Sequence, residues 1–297
     1  MAPEVTLTMA AWQVEPRWFL EAVESALGQR GCDLELIVVD DGSPDPVQEV
    51  LIGIDDPRLR VVRIEHGGTA AARNAGIAHA QGRLIRFLDA DDVLELDSTA
   101  RLAALIGDRD DVVAYGATVV CDEQLRPTRT IASSLEGDVV EACLLGRFDV
   151  RHVSMLFPRR VVELAGPWVG GYAISEDWDF VLRALEHSKV RAEPLAATYY
   201  RRHGASRTGA AGVAAGEADR LRVVQRYFER HPERRGTRFE RTVLAATHLD
   251  RASAYAATGQ RGAAATRLAR AARLAPIPAA AKTVQLLARG LRRRLRP

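Results

Sequence analysis

A chain of 297 residues with 47 % apolar and 27 % charged side chains has enough apolar material for a buried core, which excludes a disordered polymer. Its net charge of +2 gives no overall pull toward polyanions, and three cysteines without CxxC spacing exclude a disulfide framework and a zinc ribbon. There is no apolar run of about 18 residues for a spanning helix. No basic segment followed by an apolar stretch opens the chain, so no signal peptide is expected and the cytoplasm is the expected location.

Val5–Met9 is a short apolar run that predicts a first strand. Phe19, Leu20, Val23, Ala26 and Leu27 then recur at helical spacing. Leu34–Val39 is nearly continuous in apolar residues, as in a strand buried on both faces of a parallel sheet. It runs into Asp40-Asp41-Gly42-Ser43-Pro44, a dense turn signal. A short helix from Val47, a strand at Arg60–Ile64 and a helix at Thr69–His79 follow. Leu84–Leu88 predicts another buried strand, ending in Asp89-Ala90-Asp91-Asp92, after which Asp97 or Ser98 is placed to cap a helix. Strands alternating with helices predict an α/β fold with a mostly parallel central sheet flanked by helices. In such sheets ligands bind beyond the carboxyl ends of the strands, where both Asp-rich loops fall.

The acidic turn crowds Asp89, Asp91 and Asp92 into four residues. Close carboxylates raise one another's pKa. A hard divalent cation that takes one or two carboxylates plus phosphate oxygens relieves the repulsion; the competing reading is a solvated, helix-capping turn. Asp41 can accept a hydrogen bond from a nucleobase imide, or simply belong to a turn. His66-Gly67-Gly68-Thr69 precedes a helix, whose N-terminal amides can meet an anion, with Arg73 one turn further on. Ser175-Glu176-Asp177-Trp178 opens another helix, where acidic residues also serve as dipole partners. Tyr199–Ser206 gathers Arg201, Arg202 and His203. Neither GxGxxG nor GxxxxGK occurs, which removes the main support for dinucleotide-binding and P-loop readings.

Taken in order, these segments resemble the family 2 glycosyltransferases of the GT-A fold, over roughly Val5 to Ser206. The resemblance implies a catalytic domain at 1–208 that is inverting and dependent on Mn2+ or Mg2+. The donor would be a nucleoside-diphosphate sugar, with UDP-sugars favoured, and the acceptor a hydroxyl of a glycan or lipid-linked glycan. It implies that Trp12 packs on the base, in a stretch reading Ala10-Ala11-Trp12-Gln13 where the family often has Pro-Thr-Tyr-Asn. Asp41, Arg73, Asp89 and Arg202 complete the donor site. Asp91, Asp92 and His203 are the implied metal residues. Glu176 and Asp177 are the implied catalytic pair, with Asp177 as general base. Val153–Arg160 with Gly166 matches the link beneath the acceptor pocket.

Residues 209–297 predict an all-α, basic appendage: from Arg251 onward there are eleven Arg and Lys and no Asp or Glu. Ala254–Pro276 resembles one tetratricopeptide-like hairpin, too little for a repeat array. Val284, Leu287, Leu291 and Leu295 share a helix face opposite arginines, which suits either a peripheral membrane contact or packing on the catalytic domain. Interleaved aromatics are lacking, so nucleic acid is not an expected partner. Two rival readings remain: a non-catalytic scaffold, and a sugar nucleotidyltransferase. The second is disfavoured because no Gly-rich basic loop follows the first strand.

Overall fold

A computed structural model of the chain describes residues 2–204 and 212–275. The expected basic helix at 279–297 and residues 209–211 of the Gly/Ala stretch lie outside these. By internal packing the described residues divide into two compact units, one of residues 2–140, 149–172 and 176–204, the other of 141–148, 173–175 and 212–275. Among the described residues no helix is long and apolar enough to cross a membrane.

The first unit is built on one sheet. Its strands are β1 (Val5–Ala11), β2 (Leu34–Asp40), β3 (Leu59–Arg63), β4 (Leu84–Asp89), β5 (Val93–Leu94), β6 (Val112–Cys121), β7 (Pro127–Ile131), β8 (Met155–Pro158) and β9 (Lys189–Arg201). Their order is β3-β2-β1-β4-β8-β6-β9-β5, with β7 on β6. The first four strands are parallel, and β6 pairs β9 in parallel. Strands β8, β7 and β5 run antiparallel to their neighbours. The sheet is therefore parallel in its first half and mixed beyond it.

The apolar runs form strands because both faces are covered. Leu36 and Val38 join Leu7, Met9, Leu84 and Leu88 on one face, under Phe19 and Val23 of α1 (Pro16–Leu27). Ile37 and Val39 face Ala72 of α2 (Thr69–His79) on the other. Helix α1 starts where Glu15 accepts a hydrogen bond from the Trp18 amide and Pro16 supplies the first helical turn. Helix α2 starts after Gly68, whose φ of 84° lies in the left-handed region open to glycine.

The register determines where the site lies. Ala11 is level with Asp40 across β1 and β2, and Ala10 is level with Asp89 across β1 and β4. The residues that follow, Trp12, Asp41 and Ala90–Asp92, consequently leave the sheet on one rim. The chain crosses to the far side of β1 between β3 and β4, so this rim also carries the switch point at which open α/β sheets bind ligands.

The helix α3 (Ser98–Ile106) corrects one expectation. Neither Asp97 nor Ser98 caps it through a side chain. Arg86, a cation in the middle of the buried β4, donates to Ser98 Oγ (2.9 Å), Thr99 Oγ1 (2.6 Å) and the Ala197 carbonyl (2.9 Å). No carboxylate accompanies it among the described residues, and burial pushes its pKa down to about 9. The Ser98 hydroxyl, one of the two expected caps, is used to satisfy this arginine, and Asp97, the other, pairs with Arg101.

The first unit is completed by α5 (Arg159–Ala165) and α6 (Glu176–Leu185). The short α4 (Val140–Leu144) leads into the second unit, which contains α7 (Gly212–Arg230), α8 (Arg238–Ala257) and α9 (Arg261–Leu274). Thr237 accepts from the Glu240 amide at the start of α8, and Glu240 accepts in return from the Gly236 amide. Ala245, Leu249 and Ala271 form the core of the α8–α9 hairpin. Glu217 binds Arg267 (2.6 Å) and Tyr255 (3.0 Å), and Asp219 accepts from the amides of Ile174 (2.7 Å) and Ser175 (3.2 Å).

Gly82, just before β4, has no room for a methyl group: a Cβ there would lie 2.4 Å from the Thr6 backbone nitrogen and 2.6 Å from the Val5 carbonyl carbon. Backbone cannot turn aside as a rotamer can. Gly82→Ala is expected to destabilise the protein by about 1–3 kcal/mol, read as a fall in the urea midpoint at unchanged slope.

Candidate active site

The site assembles around Arg73 on α2, whose side chain is only 3 % exposed. Its Nη2 donates to Asp89 Oδ1 (2.7 Å) and lies 3.0 Å from His152 Nε2. Its Nη1 donates to Glu176 Oε1 at 3.2 Å. The guanidinium carbon sits 4.3 Å from the centre of the Trp168 ring. That ring is fixed by Asn74, which bonds the Trp168 amide and carbonyl at 2.8 and 2.9 Å. One residue, expected to reach a phosphate, is thus enclosed by an aromatic face and two carboxylates. Glu176, expected beside the base as a catalytic partner, is buried against it.

The acidic turn is held by a second arginine. Arg201, fully buried at the end of β9, donates through Nε to the Asp91 carbonyl (2.9 Å) and through its amide to Asp92 Oδ1 (2.9 Å). Its Nη2 reaches Glu21 at 2.5 Å. Asp92 is 0 % exposed and its Oδ1 accepts from the Arg201 amide, so its expected place among metal ligands is corrected: it is buried in the turn and not presented at the rim. Arg202, the neighbour expected to contact diphosphate, is exposed.

Asp91 and His203 come together. His203 Nε2 is 2.8 Å from Asp91 Oδ2, and its ring packs against Trp18 at 4.6 Å. Among the described residues no three His, Cys, Asp or Glu groups converge as a metal cage. A carboxylate and an imidazole that share a point at the rim suit an octahedral cation whose remaining ligands are phosphate oxygens and water.

The charges in the turn are unequal. For Asp89 burial acts upward, but Arg73 and His152 outweigh it and hold the carboxyl well below the usual range. Asp91 is raised by burial and by the charge of Asp89, against His203. Asp92 is raised further, by burial and by both neighbouring aspartates. Bringing a cation to the turn would relieve Asp91 first.

Asp177 stands in the first turn of α6 with its side chain 26 % exposed. Its Oδ1 accepts from the Trp178 amide at 2.8 Å, and its Oδ2 is 3.8 Å from His152 Nδ1. Burial works against ionisation, but His152, Arg151 and Arg73 bring its pKa down to about 2. His152 lies 3.6 Å from Asp89 on its other nitrogen. Its own pKa is lowered by burial and Arg73 and raised more by Asp89 and Asp177, for a net upward shift.

At the end of β2, both Asp41 oxygens are engaged by backbone amides, of Gly67 (2.8 Å) and Gly68 (2.9 Å). The glycine pair read as an anion nest is therefore closed by Asp41 itself. Trp12 is 47 % exposed and stacks on His66 with centroids 4.9 Å apart. The loop that follows Trp12 borders a cavity of about 440 Å³ lined by Gln13, Val14, Ser43, Pro44, Asp45 and Val47 among others.

Two residues central to this site, His152 and Arg201, had no part in the sequence-based assignment. His152 lies in a stretch without a motif. Arg201 was within the cationic segment, and its position at the inward end of a strand separates it from Arg202.

Residues 11–156 match the model of glycosyl transferase family 2. Residues 11–156 form a family 2 glycosyltransferase domain. The succinoglycan biosynthesis protein ExoO of Rhizobium meliloti is 41 % identical over 101 residues, 34 % of this chain and 29 % of that protein. The uncharacterized glycosyltransferase EpsJ of Bacillus subtilis is 38 % identical over 104 residues, 34 % of this chain and 30 % of that protein. The matched stretch thus spans under a third of the length of these curated relatives. The crystal structure of S. aureus TarS 1–349 in complex with UDP-GlcNAc superposes with a TM-score of 0.59 over 91 % of both chains, at 13 % identity. The fold around the family 2 domain is the expected GT-A fold, an α/β sheet with C-terminal helices.

Removing Arg73 would take the guanidinium away from two carboxylates, Asp89 and the buried Glu176. Arg73→Met is expected to cost on the order of 3 kcal/mol, whereas Arg202→Met, on the surface, should change stability by less than about 0.5 kcal/mol. Chemical denaturation of the two variants side by side measures the contrast.

Proposed function

We propose that the chain is an inverting glycosyltransferase that moves a sugar from a nucleoside-diphosphate sugar, with UDP-sugars favoured, to a hydroxyl group of a glycan or lipid-linked glycan. The observation that carries this is the single imidazole of His152 lying 3.6 Å from Asp89 and 3.8 Å from Asp177. It brings the acidic turn of the family 2 domain and an ionised, partly exposed carboxylate beyond that domain's matched residues into one site. The succinoglycan-related relative and the UDP-GlcNAc bound to the TarS fold support the substrate class.

In this reading the exposed Trp12 face receives the base beside the loop held by Asp41, and Asp89 meets the ribose. Asp91 and His203 would hold Mn2+ or Mg2+, which when bound supplies positive charge against the departing diphosphate. The exposed Arg202 adds charge on the same side. Asp177 takes the proton of the acceptor hydroxyl as that oxygen attacks the anomeric carbon and the bond to diphosphate breaks. A carboxylate with a pKa of about 2 stays ionised at neutral pH and accepts the proton as the hydroxyl acidifies in forming its new bond. Glu176, paired with Arg73, serves as a brace. A single in-line displacement with Asp177 as the base gives inversion at the anomeric carbon.

Asp177→Asn is expected to keep nucleotide binding and to lose transfer by roughly 10² to 10⁴-fold. The wild-type protein should be stabilised by UDP or a UDP-sugar more in the presence of Mn2+ than in its absence, and Asp91→Asn should remove the difference. Thermal shifts and product release from UDP-sugars measure both. Wild-type transfer by Asp177→Asn would remove the base assignment, and indifference to every nucleotide would favour the scaffold reading.

A further inference from the structure

His152 is seated more firmly than a core histidine needs to be. The backbone on its C-terminal side is tied to two strands: Thr198 Oγ1 donates to the Val153 carbonyl at 2.8 Å, and Ser154 Oγ is 2.7 Å from Thr118 Oγ1. The ring packs edge-on to Trp168 at 5.4 Å and is 4 % exposed as a residue. Its two nitrogens look in opposite chemical directions, one to the side of Asp89 and one to Asp177.

The Arg73 contact fixes the tautomer. A guanidinium carries donors only, so at 3.0 Å His152 Nε2 has to be the acceptor. In the neutral ring the one hydrogen then sits on Nδ1. That nitrogen is buried and has no hydrogen-bond partner. It faces Asp177 Oδ2 at 3.8 Å, slightly beyond bonding distance, while the other Asp177 oxygen is occupied by the Trp178 amide. A buried donor left without an acceptor costs free energy unless something closes the gap. A shift of less than an ångström in Asp177 would do so.

We propose that His152 is the positioning residue for the base. Its Nδ1–H anchors Asp177 Oδ2 when the acceptor hydroxyl approaches, and its Nε2 ties that anchor, through Arg73, to the donor-side Asp89. The base and the donor carboxylate thereby hold one mutual geometry through an imidazole and a guanidinium that touch neither substrate. This rests on the proposed reading of Asp177 as general base.

The tautomer can be tested without any substrate. With the imidazole nitrogens labelled with 15N, NMR of the whole protein at mildly alkaline pH should show His152 protonated on Nδ1. Asp177→Asn should move the Nδ1 signal more than the Nε2 signal. An Nε2–H tautomer, an imidazolium or an unmoved Nδ1 would overturn the proposal.

Kinetics supply the second arm, using the UDP-sugar selected by thermal shift with Mn2+ and water or sugar as acceptor. His152→Gln, whose amide extends toward Nε2, is expected to lower kcat by about 10²-fold with donor KM little changed. His152→Asn, whose amide lies near Nδ1, should recover most of that loss. Equal loss in both variants, or a fall in kcat matched by a rise in KM and a lower Tm, would mean a merely structural histidine and would overturn it. The two readings fail separately. Wild-type transfer by Asp177→Asn sinks the base assignment, whereas an inactive Asp177→Asn beside fully active His152 variants sinks only the role of His152.

Discussion

The site depends on one buried cation. Arg73 reaches from α2 into a space shared by Asp89, Glu176, His152 and Trp168. These residues come from a strand end, a helix start, a 3-10 turn and a connecting segment that are far apart in sequence. A lone guanidinium in such a place would be expensive to desolvate, and so would either carboxylate. Together they become tolerable, with the fork of the guanidinium setting the angles between them. The flat face of Trp168 covers what the carboxylates do not. The geometry around the proposed base is thus a by-product of solving a burial problem.

The second arginine solves a different one. Three aspartates within four residues would repel, and the fold treats each differently. Asp89 is neutralised by Arg73, Asp92 is sunk inward onto the Arg201 amide, and Asp91 is left at the rim with His203. The upward shifts of Asp91 and Asp92 and the downward shift of Asp89 follow from that allocation. Of the three, Asp91 alone stands at the rim beside an imidazole, an arrangement that would suit the small protein share of a magnesium or manganese shell.

Much of this was legible in the sequence because it obeys local rules. Leu34–Val39 and Leu84–Leu88 are apolar on both alternating faces, and they became central parallel strands. Asp41 and Asp89–Asp92 follow such strands directly, so the register alone put them on one rim. What escaped was non-local. Arg73 looked like a phosphate ligand one turn into a helix, and only tertiary structure shows it walled in. Glu176 and Asp177 are adjacent and look equivalent, but the helix turns one onto Arg73 and the other toward the opening. His152 carries no motif, and its meaning lies entirely in what stands on either side of it. Arg86 did leave a trace, a charge inside an otherwise apolar strand, and it explains why Ser98 is unavailable as a cap.

The three residues before Glu176 belong with the helical unit, where Asp219 accepts the Ile174 and Ser175 amides. A ribosome delivers the chain from its N-terminus. Residues 173–175 therefore emerge well before the carboxylate that satisfies them, and the lead-in to the proposed base waits for α7. Until Asp219 has been made, the amides of Ile174 and Ser175 lack the carboxylate that accepts from both of them in the folded helical unit.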